Sequence, residues 1–564
     1  MRKKSTKKGV NPKNGVNSNF IPTDRDFVFL PLGGTNEVGM NFGMLGHDGE
    51  WLIIDCGVTF YDRLGIDVIT ADPTFAVQHR PRINGIFITH AHEDHIGAVE
   101  YLWPILKCPV YASPFAAAIL RHKIEKKSCF STINIKEISY GEEVSAGKFT
   151  IEALQMTHST LEPSCFVVTT PLGTVVHTGD WKFEQDPVIG EKVDETELAR
   201  VGKNGVLAYL SDSTNIFSEE DTSSEKSVRD NLTRLILENP NKRITIACFA
   251  SNIARLETAI LAAEQAGRKV AVIGRSLQRM IAAAQETGYL RSFPKLIDEK
   301  QAMSMPPGKV MMICTGSQGE NLSALVRIAS GKHPVISMNE HDVVFFSSRV
   351  IPGNEKSIGD LHSFLARQKV DIITSAEEGI HSSGHPSRTA IKQMYQLLQP
   401  EIVVPVHGEA RHLIAQAHFA KSEGIKHVIV PNNGALVQLA GGAPAIIGEV
   451  KSGKWAVDGK RMVVFDGPII KERSDLSEEG AVFATIIAEK NAISNIKLSA
   501  RGLEEPGEPT RRLYSYITDS IRKEFSGKIS AEASNERAVA QKIAALVTNK
   551  LGKTPVVEVH IIAA

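Results

Sequence analysis

The sequence predicts a mixed α/β protein: a strand-rich, metal-binding domain is interrupted by an inserted doubly wound α/β domain and followed by a small α/β domain at the C-terminus. Three observations carry that prediction. At 564 residues the chain is too long for one hydrophobic core. Candidate metal ligands follow apolar, strand-like runs up to Asp180 and again at His407, with a long stretch of strand–helix alternation between them. Apolar content of 42% and charged content of 23%, with zero formal net charge, are those of an ordinary globular chain, so any nucleic-acid partner must be held by local positive charge.

The chain opens with MRKKSTKKGVNPKNGVNSN, whose five Lys and one Arg have no apolar segment behind them. Residues 1–20 therefore read as a basic, solvated and disordered tail, not a secretory signal. No run of about 18 apolar residues occurs, so no membrane association is expected. The six cysteines (Cys56, Cys108, Cys129, Cys165, Cys248, Cys314) are scattered, mostly in apolar runs and without a CxxC pair, as expected of buried free thiols in a cytoplasmic protein.

Residues 21–215 form the first part of the metal-binding domain. FVFLPLGG, EWLIIDCG and GIFITHAH read as strands separated by Gly and Asn turns. The third ends just before His90, and AVEYLWPIL then starts a helical pattern, so His90, His92, Asp94 and His95 share one strand-to-helix loop. Packing does not call for three histidines and a carboxylate at such a place; metal binding does, since imidazole suits zinc and similar ions and Asp supplies a hard oxygen. Asp55 ends the second strand, where it can orient a ligand without itself binding metal or can simply close a strand-end Asx turn. FTIEALQMTHS delivers His158, and the hairpin CFVVTTPLGTVVHTGDWKF delivers Asp180 from its second strand. One sheet edge is expected to hold them all.

Over residues 216–370 strands and helices alternate: RDNLTRLILEN, RITIACFASN, IARLETAILAAEQAG, KVAVIGRS, LQRMIAAAQETGYL, KVMMICTGSQGE, NLSALVRIAS and DVVFFSSRVIPGNE. A parallel sheet is expected, with ligands beyond the carboxyl ends of its strands. Those ends, with the strand end Asp212-Ser213-Thr214 just before them, carry Phe249-Ala250-Ser251-Asn252 and Thr315-Gly316-Ser317-Gln318-Gly319, small and hydroxylic loops whose amides can receive phosphate oxygens. Ordinary helix capping is the plainer use of each.

The metal-binding domain resumes over residues 371–458. Its segment His381-Ser382-Ser383-Gly384-His385 precedes the helix RTAIKQMYQLLQP and makes a plausible pocket for one phosphate. EIVVPVHGEARH then places His407 at another strand end. Residues 459–474 read as a linker, and residues 475–564 as an accessory α/β domain with strands AVFATIIAEK and VVEVHIIAA and amphipathic helices LYSYITDSIRKEF and ERAVAQKIAALVTNKL.

HAHEDH, His158, HTGD and PVHGE resemble the metal motifs of the metallo-β-lactamase fold, an αββα core. Asp212 in LSDSTN, SSGHPS and VHGE resemble the further motifs of β-CASP nucleases. FASN, CTGSQGE, IPGNE and HSSGH in this order, with DGPII, LSEEGAV and SARGL later, resemble the ribonuclease J family. The likeness runs from about Asp26 to the end. Two departures, HSTLEPS with Glu162-Pro163 and CFASN without a Thr before Phe249, remove no ligand.

The resemblance implies a two-metal ribonuclease of single-stranded RNA, with 5′→3′ exonuclease action preferring a 5′-monophosphate and endonuclease action besides, in RNA decay and maturation. Two Zn²⁺ or Mn²⁺ are implied, one held by His90, His92 and His158, the other by Asp94, His95 and His407, with Asp180 bridging. Such a pair brings the pKa of water toward 7 and stabilises charge on phosphodiester oxygens. Asp94, Asp180 and His385 are the catalytic candidates; Phe249 to Asn252 and His381 to His385 are the substrate-binding ones. Gly65, Asp67 and Asp458 match positions that bind a structural calcium in some relatives. A homodimer or homotetramer and partners in an RNA-decay complex are implied as well. The alternatives are a nuclease of DNA, a hydrolase of a small ester or thioester, or a non-catalytic RNA-binding scaffold. The scaffold's signature would be a missing ligand, and none is missing.

Overall fold

A computed structural model describes residues 19–125, 127–220, 223–291, 293–505, 507–530 and 532–564. Most of the basic tail therefore lies outside the described residues. The chain divides into two units, one comprising residues up to Phe60 with Val68–Gly453, the other Tyr61–Asp67 with Lys454–Ala564.

In the first unit, apolar alternation builds two facing sheets. One has eight strands, with Phe27–Gly33, Phe42–His47, Glu50–Ile54 and Ile83–Phe87 at its centre. The other has seven, in the order Glu143–Ala146, Phe149–Gln155, Ser164–Thr170, Gly173–His177, Ala208–Asp212, Ile402–Val406 and His427–Val428. Phe27, Leu45, Leu52 and Phe87 of the first meet Phe149, Phe166, Leu210 and Val404 of the second in one core. Behind the second sheet, helices Glu195–Lys203, Arg388–Leu398 and Ala410–Ser422 add a further layer through Leu198, Met394 and Ala420.

The insertion is visible in the register. Ala208–Asp212 and Ile402–Val406 lie side by side in parallel, Asp212 opposite Val406, although the whole alternating segment runs between them. That segment forms a five-stranded parallel sheet in the order Lys269–Ile273, Val310–Cys314, Arg243–Ala247, Asp342–Phe346 and Asp371–Thr374. The last strand corrects the expected boundary at residue 370. Its pairing with Asp342–Phe346 makes it part of the insertion, which a reading of local pattern could not assign to either sheet. The expected helix NLSALVRIAS shortens to Ala324–Ala329, with Ser323 before it in an extended conformation.

In the second unit, Ala481–Glu489 is the centre of a three-stranded sheet, antiparallel to Ala492–Arg501 and parallel to Val556–Ala563. Helices Glu508–Glu524 and Ala533–Leu551 cover one face through Leu513, Ile517, Val539 and Ile543. Residues 459–474, expected as a linker, instead carry the strand Arg461–Val464 and the start of helix Pro468–Glu479. The strand is satisfied by pairing with Lys454–Asp458, a contact that polar composition alone does not announce.

Candidate metal centre

The buried strand Ile83–Phe87 brings the chain to His90, and a single-turn helix, Glu93–Ile96, follows with His92 at its cap. Gly57 permits this loop to lie against the neighbouring strand end, because a Cβ there would strike the Asp94 carbonyl. Strand ends of the second sheet bring up the rest: His158 beyond Phe149–Gln155, Asp180 beyond Gly173–His177 and His407 beyond Ile402–Val406. The expectation of a single sheet edge is thus corrected. His90 to His95 come from one sheet, and the other three from the sheet facing it, so the groups converge at the open end of the sandwich.

Two sets of donors result, His90, His92, His158 and Asp180 in one, Asp94, His95, His407 and Asp180 in the other, with the ligating atoms of each within 4.8 Å of one another. Asp180 Oδ2 stands 3.2 Å from His95 Nε2, 3.3 Å from His407 Nε2, 3.8 Å from His158 Nε2 and 3.9 Å from His90 Nε2. Its Oδ1 is buried and has no protein hydrogen-bond partner. A buried carboxylate oxygen left unpaired among imidazoles is costly unless it meets a cation. The donor set, nitrogen-rich with two carboxylates, fits a pair of divalent ions.

The ligands are oriented from behind. His95 Nδ1–H donates to Asp55 Oδ2 at 2.7 Å, and Asp55 is itself fixed by the amide (2.8 Å) and hydroxyl (2.9 Å) of Thr89. This is the orienting position foreseen for Asp55. His158 Nδ1–H donates to the Gly384 carbonyl at 2.6 Å, and His407 Nδ1–H to Asn41 Oδ1 at 3.0 Å. In each case Nε2 is turned to the centre. Asp55 and His407 have positive φ, 63° and 50°, backbone strain of the kind that gathers at functional sites.

Burial, reinforced by neighbouring imidazoles, pushes His90 and His158 well down, and burial takes His92 to about 4, so all three are neutral with lone pairs to offer. For His95 and His407 burial acts in the same sense, but the carboxylate of Asp180 and its neighbours outweighs it and raises both. Burial opposes the charge of Asp180 too, yet His407 and His95 hold it well below the usual carboxylate range. His385 Nδ1–H donates to Asp212 Oδ2 at 2.8 Å. Burial would lower this imidazolium, but Asp212, backed by Asp180 and Asp94, raises it to about 9.

His381 to His385 close over this centre. Gly384 lies so near His158 that a Cβ would stand 2.6 Å from Cε1. Ser382 Oγ accepts from Lys182 Nζ at 2.8 Å and donates to the Ser223 carbonyl. The His381 Nδ1 is buried without a partner, and burial with the charges of Arg255, Lys182 and Arg349 pushes that ring down to about 3. Of the Phe249 to Asn252 loop, Asn252 caps helix Ile253–Gln265, accepting from Arg255 N at 2.9 Å, so its side-chain oxygen is committed to the fold. Arg255 ties this loop to the other. Fully buried, its guanidinium donates to Glu225, to Ser347 and, at 3.0 Å, to the Ile380 carbonyl. A cavity of ≈ 340 Å³ opens beside His158, lined by Lys182, Asn252, Tyr140 and Tyr289 among others.

Asn41, Lys182 and Arg255 went unnoticed in the sequence. Only Lys182, two residues after Asp180, had a local signal. At two of the three positions read for calcium, Gly65 and Asp458, the neighbour is a guanidinium. Asp458 is gripped by Arg473 and Arg461, each at 2.9 Å, and Arg473 also donates to the Leu64 carbonyl at 3.3 Å. Beside Gly65 and Asp458 the cation is a guanidinium, and among the described residues no metal-like cluster includes Asp67 or Asp458. Five of the six cysteines are buried free thiols as expected, whereas Cys129 is exposed.

Four domain families match in succession: the metallo-beta-lactamase superfamily over residues 36–244, the beta-CASP domain of ribonuclease J over 241–365, the RNA specificity domain of Zn-dependent metallo-hydrolases over 369–431, and the ribonuclease J C-terminal domain over 468–564. Ribonuclease J of Sinorhizobium meliloti is 38% identical over 95% of this chain and 97% of its own length. Ribonuclease J 1 of Streptococcus pyogenes is 34% identical over 93% and 96%, and ribonuclease J of a Synechocystis species 37% identical over 80% and 71%. A solved structure from Enterococcus faecalis, described as a protein of unknown function, shares the fold with a TM-score of 0.52 at 15% identity, covering 73% of this chain and all of its own.

Proposed function

The chain belongs to the ribonuclease J family, and from that premise we propose that it is a two-metal ribonuclease that degrades single-stranded RNA from the 5′ end and also cuts internally. The observation that carries the reading is the pair of donor sets meeting at Asp180, whose inner oxygen has no other partner.

In this reading His90, His92 and His158 would hold one divalent cation and Asp94, His95 and His407 a second, with Asp180 a ligand available to either. Bound there, Zn²⁺ or Mn²⁺ would supply water activated near neutral pH and positive charge against the phosphodiester oxygens. The protein's own share is positioning. Asp55, Asn41 and the Gly384 carbonyl hold three imidazoles with Nε2 inward. Asp212 holds the proton on His385 Nδ1, which leaves Nε2–H to contact phosphate and to protonate the departing oxygen. His381, Ser382, Ser383 and Gly384, together with Phe249, Ala250 and Ser251, receive the 5′-terminal phosphate. Lys182 and Arg255 brace these loops from behind, each already paired with a carboxylate, Glu184 and Glu225. The cavity beside His158 falls within the range of small-ligand pockets, in keeping with release of one nucleotide at a time.

The second unit serves assembly into a homodimer or homotetramer. Its sheet buries one face under helices and leaves Phe483 and Ile562 exposed on the other, which supports that role. We place the enzyme in the cytoplasm, in company with other RNA-decay proteins; among the described residues no helix is long and apolar enough to cross a membrane.

Digestion of 5′-labelled RNA tests the reading. A mononucleotide as first labelled product, formed faster from 5′-monophosphate than from 5′-triphosphate RNA, is expected, with longer fragments marking internal cuts. Equal rates on the two ends, or equal attack on matched DNA, would count against it.

A further inference from the structure

We infer that the carboxyl edge of the inserted sheet carries a second phosphate-binding site, apart from the metal centre. Strand Lys269–Ile273 ends at Gly274, φ 118°, and runs directly into helix Arg275–Glu286; beside it strand Val310–Cys314 ends at Thr315-Gly316. An open cleft of ≈ 600 Å³ lies over these two ends, and Arg275, Arg279, Arg327 and His333 line it. This is the place where parallel sheets bind ligands, and Thr315-Gly316 is a loop for which the proposed catalysis has no use.

The charges in the cleft are arranged against the helix that carries them. Acidic side chains favour a helix N-terminus, and the first turn of this twelve-residue helix has none. It carries Arg275 there and Arg279 one turn on, like charges four apart, which oppose helix stability. Arg327, from a separate helix, faces the same cleft. None of the three guanidiniums forms an ion pair with a described carboxylate. The one acidic residue of the lining, Glu299, stands 3.9 Å from His333. Three guanidiniums against one carboxylate leave an excess of positive charge. Gly274 gives the helix no side-chain cap, so its first-turn amides remain to be met. Ser323, partly buried, stands at the cleft wall with its Oγ packed against Gly316. A single group answers all these features: a phosphate, accepting from helix amides and bidentate arginines together. It is carried either by the backbone of single-stranded RNA or by a free nucleotide.

The test is equilibrium binding by the full chain and its R275A/R279A/R327A variant, with three probes: a phosphorothioate single-stranded RNA, adenosine 5′-monophosphate and inorganic phosphate. If RNA backbone is the source, the variant binds RNA at least ~10-fold more weakly, and its log–log salt slope falls by about 2, some 0.7 per lost phosphate contact. If a free nucleotide is the source, nucleotide binding is lost and RNA binding holds. Cleavage of a short 5′-monophosphorylated substrate is unchanged in either case. Unaltered affinity for all three probes, in a variant that melts where the parent does, overturns the inference. Should the triple variant not fold, the exposed single change R327E reads the same loss, and parental binding by it is equally fatal.

Discussion

The metal centre and the carboxyl edge of the inserted sheet both lie at strand ends, yet they are opposite in charge and in construction. At the centre, Asp180 is surrounded by neutral or proton-sharing imidazoles and keeps one buried oxygen unpaired. At the edge, three arginines crowd a helix N-terminus with one carboxylate in reach. The first arrangement calls for cations and the second for an anion. A third place, the Arg255–Glu225 pair, balances one buried charge against another: a fully buried guanidinium with carboxylate, hydroxyl and carbonyl acceptors around all of it but Nε. An incomplete charge set, more than burial or strand position, distinguishes a ligand site from a structural one.

The largest effect should come from breaking the shared ligand. Asp180→Ala is expected to lower RNA hydrolysis by about 10³-fold or more, the loss of several kcal/mol of charge stabilisation, while RNA affinity stays near that of the parent. Chelator treatment should reproduce the loss and added Zn²⁺ or Mn²⁺ reverse it, whereas the same treatment should leave the arginine-lined cleft untouched.

Breaking the balanced pair should instead cost fold stability. Arg255→Met leaves Glu225 buried without its partner and should lower the unfolding free energy by about 3–5 kcal/mol in chemical denaturation. Replacing both partners by apolar residues should recover much of it, since a buried pair gains little over good packing.

A smaller effect is expected where the two loops touch. Gly384→Ala drives a methyl group into His158, 2.6 Å from Cε1. Disturbing the group that orients a ligand should weaken metal affinity by about 10–100-fold, read by competition with a chromogenic chelator.

The least should come from His381. Its folded pKa lies near 3, below the ordinary value of 6.5, so the unfolded chain binds the proton first as pH falls. The cost of holding this ring neutral is therefore absent above pH 6.5 and grows as pH falls from there toward 3. His381→Gln should flatten the acid limb of a stability–pH curve in that window, and an unchanged limb would show that His381 is not held neutral.

Much of this was legible in the linear chain. Histidines and aspartates at the ends of apolar runs marked all seven converging donors before any geometry was known, because a strand end is where a side chain leaves the core without leaving the fold. Alternation of strand and helix marked the insertion, since a parallel sheet imposes that rhythm locally. Asp55 was legible for the same reason, as a carboxylate at a strand end near a ligand loop.

What only the tertiary structure decided depends on partners distant in sequence. Two facing sheets, not one edge, deliver the donors, because the pairing of strands is a long-range choice. Asn41 reaches His407, and Arg255 reaches Ile380, across intervals in which no local pattern records the contact. Strand Asp371–Thr374 went to the inserted sheet through its neighbour, and Arg473 stands where the resemblance implied calcium. Local physics writes periodicity, caps and ligand types into the sequence; which charges end up balanced is settled only when remote segments meet.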